Sequence, residues 1–143
     1  VEQFMLLAKH PLPSKPSLPK PSVCALRARL IFEECLELIN SLGVNVVTKD
    51  GALTLANVNF VNDIPSEEME FIAKECADVH VVVTGTMSAL GIPDVEIQKI
   101  VDENNLSKFG PGHSYSPHGK LIKPPDHPKA TPLIKAELEK LAK

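Results

Sequence analysis

The chain has 143 residues, 43% apolar and 23% charged, with a net charge of −3 and a pI of about 5.9. That balance argues against a general nucleic-acid binder, which needs a basic face, and the length suits one domain, 1–143, with a real core. No apolar run approaches a membrane span, and with aromatics at 4% and no Trp the interior falls to Leu, Ile, Val and Ala.

The opening "VEQFMLLAKH" predicts a short helix; it carries an acid and is too short and weakly apolar for a signal peptide, so cytoplasm is the default compartment. Residues 10–22, "HPLPSKPSLPKPS", contain five of the 13 prolines. Proline lacks the N–H that helices and sheets need, so this stretch reads as an extended strap, with a disordered linker as the alternative. A long helix follows from about Ser22, a reasonable N-cap, to Leu42, with Gly43 as its stop. Next, "VNVVTKDGALTLANV" has β-branched residues on either side of Lys49-Asp50-Gly51 and reads as a small hairpin insertion at about 44–58.

A second long helix is expected after Pro65, capped by Ser66, with Glu67 and Glu68 in its first turn and Gly91 at its end. Within it "VHVVVTG" (79–85) would pass alone as a buried strand, and periodicity does not decide between the two. A third helix runs from Pro93 to about Lys108, opening with Asp94 and Glu96 and stopping before Gly110. The loop-rich tail 109–132 leads to a terminal helix, "LIKAELEKLAK". Cys24, Cys35 and Cys76 form no CxxC pair, which fits buried thiols in a reducing compartment better than a disulfide frame or a zinc site.

The chemistry lies in the acids of the two long helices. At about 100° per residue, Glu34 and Glu37 share a face with Glu33 at its edge, among Leu26, Leu30, Leu36 and Leu38. Glu75 and Asp78 repeat the spacing between Phe71 and Val82. The plain alternative is two solvated acidic faces. Against it stand the apolar flanks: two carboxylates about 5 Å apart repel by roughly 3 kcal/mol at an effective dielectric of ~20. Four such groups must protonate, separate or find cations, and a hard divalent ion bound through oxygen would hold them ionised.

These elements resemble the MazG-like, all-α nucleoside triphosphate pyrophosphohydrolases, relatives of the dimeric dUTPases and of phosphoribosyl-ATP pyrophosphohydrolase. "LRARLIFEECLEL" is similar to the family's R-x-x-L-x-x-EE-x-x-E helix, and "ECADVHVVVTGTMSALGI" to its E-x-x-D helix, which makes the Val-rich segment helical. "ENNLSKFG" resembles its N-[LM]-S-K element and "HGKLIKPP" its D-G-K-x-x-K-P tail, with His118 where Asp is usual. The likeness covers roughly residues 1–125.

The resemblance implies an all-α bundle. It implies Glu34, Glu37, Glu75 and Asp78 as ligands of Mg²⁺ or Mn²⁺, and Glu33 or Glu37 as the carboxylate that handles the attacking water. It implies Asn105, Lys108, Lys120 and Lys123 as contacts to the phosphates or sugar. Arg27 is expected either to contact substrate or to pair with Glu33 or Glu34. His80 is expected to pack, and His113, His118 and His127 to lie on the surface. The implied reaction cleaves the α–β phosphoanhydride of a nucleotide, in a homodimer or homotetramer. Phosphoribosyl-ATP hydrolysis and a catalytically silent, nucleotide- or metal-binding helical oligomer are the alternatives.

Overall fold

The computed structural model describes residues 1–143 and is built from helices with two small hairpins. Helices α1 (Glu2–Leu7), α2 (Pro21–Ser41), α3 (Met69–Ala89), α4 (Asp94–Leu106) and α5 (Thr131–Ala142) alternate with strands β1 (Asn45–Thr48), β2 (Val58–Val61), β3 (Ser114–Tyr115) and β4 (Leu121–Ile122). The all-α expectation holds, and the Val-rich stretch 79–85 lies inside α3. The chain clusters into two units, Val1–His10 with Leu18–Thr86 and Pro11–Ser17 with Met87–Lys143.

In the first unit α2 starts on Pro21, whose missing N–H costs nothing in the first turn. Lys20, not Ser22, is the N-cap, without a side-chain cap bond. The helix ends at Gly43, whose φ of 81° suits glycine and whose N–H donates to Asn40 O at 2.9 Å. A hairpin does follow, with β1 and β2 antiparallel and Asn45 opposite Val61. Its second strand is later than expected, however. Asn57 donates its side-chain N–H to Ala52 O (2.8 Å) and its backbone N–H to Thr54 O (3.0 Å), closing residues 49–57 into a loop. The pairing therefore resumes at Val58, and Lys49-Asp50-Gly51 is not a two-residue turn.

The hairpin returns to the end of α2, where the Glu67 N–H donates to Ser41 O at 2.8 Å. Helix α3 begins at Met69, three residues beyond the expected cap Ser66, with Glu68 O accepting from Phe71 and Ile72. Met5 of α1 (1% exposed) and Val82 of α3 (7%) are this unit's buried apolar residues.

In the second unit α3 closes on Gly91 in a Schellman turn, with Ile92 N–H to Met87 O and Gly91 N–H to Ser88 O. The strap segment 11–17 lies against this turn: Ser17 N–H donates to Leu90 O, and Gly91 sits against the Pro13 and Lys15 carbonyls. Helix α4 runs into a 3-10 turn, Ser107–Phe109, and packs on α5. Within the loop-rich tail lies a second hairpin. Ser114 pairs with Ile122, and Gly119 at φ 79° turns the chain between Ser116 and Lys120. No single helix is long and apolar enough to cross a membrane.

Candidate metal and nucleotide site

Helices α2 and α3 run antiparallel in the first unit, since Arg27 contacts Val82 while the later Glu34 and Glu37 meet the earlier Glu75. Each of Glu34, Glu37 and Glu75 places a carboxylate oxygen within 4.8 Å of the other two. Glu34 Oε2 and Glu75 Oε2 are buried and have no hydrogen-bond partner. Two orphaned oxygens in one cluster are costly unless something binds them. An oxygen-only donor set with two unpaired members fits a hard divalent cation.

The charges interact as that geometry requires. Burial, then Glu37, Asp78 and Glu75, push the Glu34 carboxyl above the usual range, while Lys74 pulls the other way. Asp78 stands outside the three-residue cluster and pairs with Lys74 at 2.8 Å. Lys74 also reaches Glu75 Oε1 at 3.1 Å, and these two bonds hold its ammonium charged far above neutrality. Despite the apolar flanks of the acids, Lys74 is a protein cation beside them, and its position four residues before Asp78 is the usual helical pairing distance.

Other predicted residues fall in different surroundings. Glu33 pairs with Arg29 at 3.0 Å on an exposed face, and Arg27 pairs with neither Glu33 nor Glu34. Arg27 is 6% exposed, with Nη2 donating to Val82 O (2.9 Å) and Nε to Thr86 Oγ1 (3.2 Å). His80 is exposed rather than packed, and Cys76 is exposed while Cys24 and Cys35 are half-buried. A groove of 540 Å³ beside the acids is lined by Glu37, Asn40, Ile64, Glu67, Phe71 and Glu75. Glu67 and Phe71, which the sequence marks as a first-turn acid and an apolar flank of Glu75, are thus walls of this groove.

The second unit gathers the lysines. Lys108 and Lys120 line two adjoining grooves, of 510 Å³ and 560 Å³. The first also takes in Asn104, Lys123, His127 and Lys129, and the second takes in Asn105, whose side chain accepts from Lys108. His127 is partly buried and shares a 2.7 Å bond with Ser107, so it holds the tail to the end of α4.

A family model, phosphoribosyl-ATP pyrophosphohydrolase, matches residues 1–105, which include all the acids of the cluster. The chain belongs to that family. It is an enzyme of the pyrophosphohydrolase type, within the MazG-like superfamily whose resemblance its helices carry. A comparison with curated proteins returns no match.

Proposed function

We propose that this family member cleaves the α–β phosphoanhydride of a (d)NTP to a monophosphate and pyrophosphate, using Mg²⁺ or Mn²⁺. The observation that carries the reading is the Glu34, Glu37 and Glu75 cluster with its two unpartnered buried oxygens. Once bound, the cation supplies charge neutralisation at the phosphates and a more acidic water.

The remaining work falls to the chain. Glu34, Glu37 and Glu75 would hold the ion, and Asp78, which here pairs with Lys74, would be the fourth ligand. Glu37, more exposed than Glu34, orients the attacking water and takes its proton. Glu33, held by Arg29, is the further carboxylate near that face. Lys108, Lys120 and Lys123, with Asn105, line the grooves of the second unit and are the residues proposed to contact phosphate and sugar. The active form is a homodimer or homotetramer.

Phosphoribosyl-ATP is the second reading, favoured by the description of the matching family. The "ENNLSKFG" and "HGKLIKPP" segments, which resemble the dUTPase-like branch, are what favour the triphosphate reading over it.

The test is product analysis over a panel of dNTPs, NTPs and phosphoribosyl-ATP in Mg²⁺ or Mn²⁺, beside a Glu34→Gln control. Pyrophosphate with a monophosphate from one or more of the (d)NTPs, lost in the variant, is the expected result. Turnover of phosphoribosyl-ATP alone transfers the assignment to the second reading, and no turnover at all leaves a binding protein.

A further inference from the structure

Arg27 is a buried cation with no carboxylate partner, an expensive arrangement that needs a reason. Burial lowers its pKa. Two of its donors are anchored on α3: Nη2 reaches Val82 O, Nε reaches Thr86 Oγ1, and Thr86 Oγ1 itself donates to Val82 O at 2.7 Å. The planar guanidinium bridges two points one turn apart on α3, which a flexible ammonium does not match.

Gly85 completes the seat. A Cβ there would overlap Arg27 Nη2 and stand 3.4 Å from Met5 Sδ, so only glycine leaves room for the guanidinium.

The position of this seat along the helices is informative. Glu34 lies seven residues after Arg27, and Glu75 lies seven before Val82. On antiparallel helices both intervals are two turns, about 10 Å, on the same stripe. The Arg27–Val82 contact and the Glu34–Glu75 contact therefore share one register. A slip of one turn would displace the carboxylates by about 5.4 Å and break up a cluster that spans 4.8 Å. The acids cannot set this register themselves, because without an ion they repel.

We infer that Arg27, seated on Val82 and Thr86 through the gap at Gly85, is a positioning residue that fixes the α2–α3 register and so pre-assembles the carboxylate cluster. It touches neither ion nor substrate. The inference rests on the metal reading above for its functional meaning, and its test separates the two.

The experiment measures Mn²⁺ binding by calorimetry, with circular dichroism and thermal melting, on wild type, Arg27→Met, Arg27→Lys, Thr86→Val, Gly85→Ala and Val82→Ala. Val82→Ala is the control: it weakens the core but leaves the Val82 carbonyl in place. Arg27→Met and Gly85→Ala should retain helicity and bind Mn²⁺ at least about tenfold more weakly, in the range seen when a supporting contact to a metal ligand is removed. Arg27→Lys and Thr86→Val should fall between, and they carry the test if the harsher variants do not fold. Val82→Ala should melt earlier yet bind within about twofold of wild type.

Wild-type affinity in Arg27→Met, or equal losses in Val82→Ala and Arg27→Met, would overturn the inference. Should wild type take up no Mn²⁺, the metal reading fails by itself. NOEs between α2 and α3 then decide: a changed pattern in the Arg27 variants supports the register pin, and an unchanged one refutes it.

Discussion

Glu34 and Lys74 show how the same cluster is strained and relieved by single charges. Glu34 titrates above its unfolded value because it is buried and faces Glu37, Asp78 and Glu75. Between the unfolded and folded pKa values the native state binds more protons, so stability falls as pH rises through that window. Metal-free protein should therefore melt higher as pH drops from neutrality toward the ordinary glutamate range. Glu34→Gln should raise the metal-free melting temperature at neutral pH and flatten that slope. It should also abolish stabilisation by Mn²⁺, which at 100 times Kd is worth about 2.7 kcal/mol. Thermal melts in chelator and in Mn²⁺, across pH, check all three, and a Gln variant that Mn²⁺ still stabilises would remove Glu34 from the ligand set. Lys74 is 60% exposed and bonded to Glu75 and Asp78, so Lys74→Gln should lower the metal-free melting temperature and tighten Mn²⁺ binding a few-fold. Weaker binding in that variant would mean that Lys74 organises the ligands instead of competing with the ion.

At the scale of elements, what the sequence disclosed follows from how local each signal is. The stop of helix α2 was legible because the glycine at 43 acts within the last turn. The Val-rich half of α3 was ambiguous by periodicity, since Val79, Val81, Val82 and Val83 suit a strand as well. The family pattern resolved it. The second hairpin strand was misplaced because Asn57 folds 49–57 through side-chain and backbone bonds that no hydrophobic pattern encodes. Clustering of the acids was readable from their i,i+3 spacing, but their pairing across two helices depends on register, which Arg27 and Gly85 set out of sight of local rules. The α2 terminus offers a clean test. At Gly43 an added Cβ would lie 2.9 Å from Ile64 O and 3.0 Å from Ser66 N, at a φ of 81°. Gly43→Ala should cost about 1–2 kcal/mol from the backbone conformation alone, before the clash is counted. A urea midpoint unchanged from wild type would show that segment 64–66 yields freely.

For the whole molecule the balance of burial is the main fact. Apart from Met5, Val82 and Ala89 no apolar residue is fully buried, while Phe32 and Phe71 are each 53% exposed. A chain of 143 residues ordinarily buries a far larger core. Exposed apolar residues occur along the whole chain, and among them Leu26 and Phe32 lie on α2, and Phe71, Val81 and Val83 on α3, the two helices that carry the acids. In the proposed homo-oligomer, covering those faces with a second copy of the chain would add core and hold α2 against α3, which would couple assembly to site formation. The melting temperature should then rise with protein concentration, as mass action demands for a folded state that requires association. Phe32→Glu, placing a charge on the exposed side of α2, should shift the light-scattering mass toward that of the monomer and lower both melting temperature and turnover. A wild-type protein that elutes as a monomer and melts at one temperature across a hundredfold dilution would overturn the homo-oligomer and leave the exposed α2 and α3 faces to be explained otherwise.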